Sequence, residues 1–239
     1  MTLISIIIPT RNEEAFLPRC LDSIKKSALH LDNKIQLEIV VILNRCTDNT
    51  EKIARDFGCI ISTTEAKNLA IIRNTGIRSS SGEFCLTIDA DSCMSENMLV
   101  EVVKNLSNQN IIGGGVMIWP ERWSLGIILT GMLLLPYLIL ERIAGGLFFF
   151  RRTDFEAING FDENWLSAED IDFARRLKKY GEAQNKKFVT LQKAWIITSC
   201  RKFDRFGDWY FLKNPRIFLR LLKGRDERYA NQVWYDFKR

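Results

Sequence analysis

Two groups of acidic residues stand where carboxylates do chemistry. Asp89 and Asp91 are one residue apart at the end of the apolar run Leu86-Thr87-Ile88. That run is short, β-branched and without a helical period, which predicts a buried strand. Carboxylates at the C-terminal end of such a strand lie at the rim where open α/β sheets bind ligands. Hard oxygen ligands suit Mg²⁺ or Mn²⁺, ions that share their coordination with substrate phosphates. The same Asp-x-Asp also suits a polar turn. The second group, Glu169, Asp170 and Asp172, follows Ser167. Its residues suit the first turn of a helix, where the dipole favours acids. Ser167 and Asp170 have capping-box spacing.

The elements that must position these acids follow an alternating pattern. Ile4-Ser5-Ile6-Ile7-Ile8-Pro9 predicts a first buried strand. Thr10 or Asn12 is placed to cap the helix whose stripe is Ala15, Leu17, Leu21 and Ile24. A second strand over 37–43 ends in the polar loop Asn44 to Thr50, with Thr47 or Asp48 capping a helix stopped at Gly58. A short strand over 59–62, a helix over 68–80, the Asp-x-Asp strand and a helix over 95–106 come next. Ile111 to Ile118 is a strand interrupted by Gly113-Gly114-Gly115. That run suits either a bend in the sheet or a close ligand contact. Strands and helices alternating at these lengths predict a doubly wound, parallel sheet. No Gly-x-Gly-x-x-Gly follows the first strand and no Walker-type Gly-Lys-Ser/Thr occurs, which argues against dinucleotide and P-loop sites.

At 239 residues, 46% hydrophobic and 26% charged, the chain has the size and balance of one large globular domain. The net charge of +5 is concentrated at one end: residues 201–239 carry 11 Lys/Arg against 5 Asp/Glu. Six cysteines include no Cys-x-x-Cys pair, and His30 is the one histidine, which argues against a zinc site. Pro9, Arg11, Asn12 and Glu13 interrupt the first apolar segment too early for a signal peptide, so a cytoplasmic, reducing location is expected. The most apolar stretch, Leu125 to Leu140, would span roughly 24 Å as a helix, short of the roughly 30 Å hydrocarbon core. Gly126, Gly131 and Pro136 weaken it further, and a buried or interfacial helix is expected. Trp119 and Trp123, just before it, suit a membrane interface or an acceptor pocket.

In order, five segments resemble the family 2 glycosyltransferases. These are Ile7-Ile8-Pro9-Thr10-Arg11-Asn12-Glu13-Glu14; Asn44-Arg45-Cys46-Thr47-Asp48-Asn49-Thr50; Arg73-Asn74-Thr75-Gly76 with Ser81-Gly82-Glu83-Phe84; Asp89-Ala90-Asp91; and Phe150-Arg151-Arg152 through Gly160-Phe161-Asp162-Glu163 to Glu169-Asp170 and Asp172. The resemblance covers about residues 4–181. It implies the GT-A fold, a Rossmann-like, mostly parallel central sheet flanked by helices, with a helical basic C-terminal extension. It implies a nucleotide-sugar-binding half over 1–118, an acceptor-binding half over 119–200 and the extension over 201–239. The implied reaction is inverting, metal-assisted transfer of a sugar from a nucleotide-diphosphate sugar to an acceptor hydroxyl. Asp91 would be the ligand of Mn²⁺ or Mg²⁺, Asp89 would reach the ribose or the metal, and Asp170 would be the general base. Pro9, Arg11, Glu13, Asn44 and Arg73 would contact the donor, Trp119 and Glu169 the acceptor side.

Two departures from the family pattern stand out. Leu43 occupies a position where many relatives carry an Asp that reads the base, leaving Asn44 to hydrogen-bond it. No late histidine completes the metal shell, so an ion would rely on Asp91, diphosphate and water, with Ser199, Arg201 or Lys202 near the diphosphate. Both departures also fit a catalytically impaired nucleotide-sugar-binding or scaffold protein. The acceptor would be a sugar, a lipid-linked molecule or a small molecule. The tail from Phe203 interleaves bases with aromatics, and Pro215 begins an expected amphipathic helix. Such a helix either packs back on the sheet or contacts the inner face of a membrane. No nucleic-acid recognition motif accompanies the charge.

Overall fold

The computed structural model describes residues 1–141, 143 and 145–214. Its first half runs β1 (Thr2–Thr10), α1 (Leu17–Ala28), β2 (Ile35–Leu43), α2 (Thr50–Asp56), β3 (Ile60–Thr63), α3 (Leu69–Arg78), β4 (Phe84–Ile88), β5 (Ser92–Met94) and α4 (Met98–Leu106). The second runs β6 (Ile111–Pro120), α5 (Leu125–Glu141), β7 (Leu147–Arg151), α6 (Arg152–Ala157), α7 (Glu169–Glu182), β8 (Lys187–Thr198), α8 (Arg201–Phe206) and α9 (Tyr210–Lys213). The strands form one sheet in the order β3-β2-β1-β4-β7-β6-β8-β5. The pairs β3–β2, β2–β1, β1–β4 and β6–β8 are parallel, whereas β7 is antiparallel to both its neighbours.

Successive side chains of the central strands serve opposite faces. Ile4, Ile6, Ile8, Val41 and Leu43 join Leu17, Leu21, Ile24, Ala54, Met98 and Val102 on one face. Ile7, Val40 and Ile42 join Ile72, Phe155, Phe173 and Leu177 on the other. A strand covered on both faces needs apolar residues throughout, which is why these runs lack alternation. In register, Thr10 lies opposite Leu43 and Ile7 opposite Thr87. The C-terminal ends of β1, β2 and β4 therefore open on one edge of the sheet.

Several local expectations change. Thr10 ends β1 and its hydroxyl donates to the Ile42 carbonyl (2.8 Å), while Asn12 turns back with φ 53° and accepts from the Thr47 backbone. Neither caps α1, whose cap position is Phe16. The side chains of Asn12 and Glu14 are spent instead on loop 47–50: Glu14 accepts from Asn49, and Asp48 in turn accepts from the Glu14 and Thr50 backbones. The cap position of α7 is Ala168, at φ 54°, rather than Ser167. Strand β8 has no counterpart among the sequence expectations. Two of the three glycines of β6 are packed too closely for a side chain: a Cβ on Gly113 would lie 2.5 Å from the Phe149 carbonyl of β7, and one on Gly114 would collide with the Val189 carbonyl of β8. The expected amphipathic helix beginning at Pro215 lies outside the described residues.

The turn that delivers β4 is similarly crowded. Gly82 donates its N–H to Ser5 Oγ (2.8 Å) and Glu38 Oε1 (3.0 Å), and Arg152 donates to its carbonyl (2.8 Å). A Cβ there would meet Ser5 Oγ at 2.4 Å, Ser5 N at 2.7 Å and Leu3 O at 2.8 Å. Two of these atoms are backbone of a central strand and have little room to yield. Gly82→Ala is expected to destabilise the protein by about 1–3 kcal/mol, the usual cost of overpacking. The midpoint of urea unfolding measures it.

Candidate active site

The edge where β1, β2 and β4 end forms a cleft of about 460 Å³. Pro9, Thr10, Arg11 and Glu13 line it from the end of β1, Asn44 from β2, and Asp89, Ala90 and Asp91 from β4. Its other walls include Arg73 of α3, Thr130 and Leu134 of α5, and Ser167 to Asp170 at the start of α7. The ninefold set Pro9, Arg11, Glu13, Asn44, Arg73, Asp89, Asp91, Glu169 and Asp170, scattered over more than 160 positions of sequence, is thus brought to one cleft. Trp119 is not: it stands outside the cleft, 42% exposed, its ring 5.9 Å from that of Trp123. It lies near the end of β6, paired in register with Ile197 of β8.

Arg73 is the buried cation of the site. Its Nη2 donates to Asp89 Oδ1 (3.0 Å) and its Nη1 to Glu169 Oε1. Nε is buried without a hydrogen-bond acceptor, and the guanidinium lies 5.6 Å from the centre of the Phe161 ring. Neighbouring residues of α3 set this geometry. Asn68 caps the helix by accepting from the Ile71 N–H, and its amide donates to the Glu163 carbonyl (2.7 Å). Asn74 donates to the Phe161 carbonyl and accepts from its N–H (both 2.9 Å). Gly76 lets the helix press onto Ile42 and Ile7. The Arg-Asn-x-Gly segment therefore joins the Asp-x-Asp loop to the Gly160–Glu163 turn and to α7.

Glu169 and Asp170 enter from α7. Glu169 is buried, and burial pushes its carboxyl up, to about 7, against the opposing pull of Arg73. Burial also raises the Asp170 carboxyl; Arg73 draws it down and Asp89 pushes it up. Asp170 Oδ1 accepts from the Ile171 N–H (2.8 Å), and its Oδ2 has no hydrogen bond among the described residues. A partly buried carboxylate with one oxygen facing a cleft is suited to accept a proton.

Ser199, Arg201 and Lys202, expected from sequence near the diphosphate, all line the cleft, and Arg201, at the start of α8, makes contacts with Glu13 and Asp91 that the sequence did not suggest. The antiparallel pairing of β5 with β8 sets Ser92 opposite Thr198, so that Ser199 donates to the Asp91 carbonyl (3.0 Å). Two residues on, Arg201 donates to both carboxylate oxygens of Glu13 (2.7 and 2.9 Å) and lies 2.9 Å from Asp91 Oδ2. The sequence signal was a basic pair, Arg201-Lys202, directly after the end of a strand. Asn44 shows the converse. Its amide donates to the Thr64 and Ala66 carbonyls (both 2.8 Å), and its oxygen accepts from Arg45. Both of its donors are thereby engaged within the chain.

The donor set suits a hard cation only in part. Asp89 and Asp91 both line the cleft, and each keeps one carboxylate oxygen without a hydrogen bond among the described residues. Among the described residues, no three His, Cys, Asp or Glu side chains converge as a metal cage. This arrangement fits an ion that takes most of its ligands from a bound phosphate and water.

Comparison with known proteins agrees with this geometry. The family model described as glycosyl transferase family 2 matches residues 5–157, and one described as the N-terminal domain of galactosyltransferase matches residues 134–188. The chain belongs to glycosyl transferase family 2, has its GT-A fold and is a glycosyltransferase. It is 26% identical over 224 residues to glycosyltransferase AglE of Haloferax volcanii, which covers 87% of this chain and 69% of AglE. A PGL/p-HBAD biosynthesis glycosyltransferase of Mycobacterium tuberculosis is 28% identical over 234 residues, covering 92% of this chain and 86% of that protein. Among solved structures, S. aureus TarS in complex with UDP-GlcNAc superimposes with a TM-score of 0.65 at 18% identity, covering 99% of this chain and 71% of that one. The mannosyltransferase PcManGT of Pyrobaculum calidifontis, in complex with GDP-Man and Mn²⁺, gives 0.64 at 20% identity, covering 89% and 64%.

Removing the Arg73 cation leaves Glu169 buried without its charge partner. Arg73→Met is therefore expected to cost about 3–5 kcal/mol. Adding Glu169→Gln to it should recover most of that loss, as read from urea unfolding of the two single variants and the double variant.

Proposed function

We propose that the chain transfers a sugar, with inversion, from a nucleoside-diphosphate sugar to an acceptor hydroxyl. The observation that carries this reading is the opposition of groups across one cleft. Asp89, Asp91, Arg73 and Arg201 face it from the donor side, and Asp170 faces it from α7. The donor half spans residues 1–118 and the acceptor half 119–200. The donors bound to TarS and PcManGT, UDP-GlcNAc and GDP-Man, support a nucleoside diphosphate as the leaving group.

Each residue has a task in that reading. The cationic guanidinium of Arg73 holds Asp89 and Glu169 in place by charge-assisted hydrogen bonds. Pro9, Arg11, Glu13 and Asn44 frame the nucleotide. Glu169 orders the first turn of α7 through Arg73, so that Asp170 meets the acceptor hydroxyl. Asp170 takes the proton of that hydroxyl as its oxygen attacks the anomeric carbon from the face opposite the diphosphate. A divalent ion, Mn²⁺ or Mg²⁺, held by Asp91 and Asp89 would neutralise charge on the departing diphosphate as a Lewis acid. The Mn²⁺ in PcManGT supports that assignment.

The described residues contain no helix long and apolar enough to cross a membrane. They do present an apolar outer face on α5, where Leu125, Met132, Leu133, Leu135 and Leu140 are exposed while Thr130 and Leu134 line the cleft. We propose peripheral contact with an anionic membrane through this face and the basic C-terminal extension, with a lipid-linked acceptor. Flotation of the full chain with anionic vesicles is expected. Replacing Arg220, Lys223 and Arg225 together by Glu should weaken it, and flotation equal to that of the unchanged chain would reject the membrane assignment.

A panel of nucleotide sugars with Mn²⁺ or Mg²⁺, scored for released nucleoside diphosphate, tests the transfer itself. Asp170→Asn is expected to lower turnover by about 10²–10⁴-fold, the usual contribution of a general base, with donor binding kept. Absence of both turnover and donor binding across the panel would overturn the reading, and donor binding without turnover would mark a binding protein instead. Burial raises the Asp170 pKa, so the base is protonated over a wider acid range than an ordinary aspartate. The acid limb of the turnover profile is therefore expected above about pH 4, the unperturbed aspartate value, and Asp170→Asn should remove it.

A further inference from the structure

Arg201 occupies the carboxylate that the proposed donor reading assigns to the metal ion. Its guanidinium forms a two-pronged pair with Glu13, and Nη2 also lies 2.9 Å from Asp91 Oδ2. Glu13 is 2% exposed, and a carboxylate at that depth is costly without a cation beside it. The pair with Glu13 thus fixes the plane of the guanidinium. The face of Phe16 lies 5.0 Å from its carbon and backs it on another side. The segment that carries Arg201 is tied to Asp91 through its backbone as well, by the Ser199 N–H on the Asp91 carbonyl.

A divalent ion on Asp91 would sit about 2.1–2.5 Å from a carboxylate oxygen. Arg201 then lies within a few ångströms of it, in a partly desolvated cleft where like charges repel strongly. The ion and the Arg201–Asp91 contact therefore compete. A diphosphate resolves the conflict, because its oxygens are acceptors for both. It can take the Nη2 donor from Asp91 while Arg201 keeps its pair with Glu13, and it supplies ligands that Asp89 and Asp91 alone do not. Arginine is well matched to phosphate oxygens by its planar fork of donors.

We propose that Arg201 makes binding of the divalent ion and of the diphosphate mutually dependent. Without nucleotide, Arg201 holds Asp91 and keeps the ion out. With nucleotide, its Nη2 donates to the diphosphate and Asp91 is released to the metal. The coupling is reciprocal, so the ion must strengthen nucleotide binding by the same factor that nucleotide strengthens ion binding.

This inference rests on the donor reading for its second half but not its first. The experiment is Mn²⁺ binding to the full chain, followed by electron paramagnetic resonance of free Mn²⁺, alone and with UDP or GDP as the probe. The unchanged protein should bind Mn²⁺ at least about tenfold more tightly with nucleotide than without, within the usual range of coupling. Arg201→Ala and Arg201→Gln should each bind Mn²⁺ alone about tenfold more tightly than the unchanged protein, with the enhancement by nucleotide reduced to less than about threefold. Arg201→Lys, which keeps the charge, should retain part of the coupling. A merely structural Arg201 would lower the unfolding temperature and leave Mn²⁺ affinity and coupling as they were, and that result would overturn the proposal. The unchanged protein decides it even where the variants do not fold: equal Mn²⁺ affinity with and without bound nucleotide also overturns it. Failure of every form to bind UDP or GDP would instead refute the donor reading, while tighter binding of Mn²⁺ alone by Arg201→Ala would still support the competition at Asp91.

Discussion

The burial of one guanidinium constrains the rest of the site. Arg73 sits beneath the cleft with a carboxylate on either side, Asp89 at the end of β4 and Glu169 at the start of α7. An arginine cannot shed its proton to escape burial, so the fold must bring acids to it. That requirement links two segments eighty residues apart and fixes where α7 begins relative to the sheet. The same helix that carries Arg73 grips the Gly160–Glu163 turn through Asn68 and Asn74 and lies on β1 and β2 through Gly76. The position of Asp170 relative to Asp91 is therefore a consequence of how α3 packs, rather than of any direct contact between the two acids.

The cleft balances its charges by pairing. Arg73 neutralises Asp89 and Glu169, and Arg201 neutralises Glu13 and Asp91. An anionic substrate entering such a site gains little from bulk positive charge, because most of that charge is already compensated. It gains from donors that can be shared, and an arginine held by one carboxylate still has N–H groups to offer. Asp170 is different in kind: its exposed oxygen has no cation in direct contact. The arrangement separates the groups that would hold charge from the group that would accept a proton.

The sheet was legible in the sequence where burial on both faces demands unbroken apolar runs, as in Ile4 to Ile8 and Val40 to Leu43. The Asp-x-Asp position was legible only in company: alone it suits a turn, and its place between Arg73-Asn74-Thr75-Gly76 and Glu169-Asp170 is what marked it. Strand β8 was not, because its burial alternates irregularly and Lys187, Gln192 and Lys193 break the apolar pattern. Missing β8 also hid the partners of Arg201, expected only near the diphosphate, because its place beside Asp91 depends on the antiparallel pairing of Ser92 with Thr198. Trp119, expected on the acceptor side, does not line the cleft: residue type suggested a pocket, and no local pattern placed the end of β6 relative to it. Local capping was misread at Thr10 and Asn12 because their side chains found partners in the loop of a neighbouring strand, a choice that only tertiary structure reveals.

Helix α5 shows why the acceptor side is harder to read than the donor side. It is tied down at its C-terminal end, where Arg175 makes a two-pronged pair with Glu141. Just ahead of its start, Arg122 holds Asp204 and Asp208 of the α8–α9 segment. Between those ties, Gly126 lies against the Asp208 backbone. The helix is thereby tied at both ends by charged residues outside its apolar stretch, and within the stretch only a few residues, Ile127 and Thr130 among them, are buried. One side of it, through Thr130 and Leu134, lines the cleft, and the other is exposed leucine and methionine. An apolar sequence alone cannot distinguish that situation from burial, since both remove charge from the stretch. The few residues the helix does bury and the ion pairs at its two ends hold it in place, and the composition of its outer face is left to what approaches the cleft.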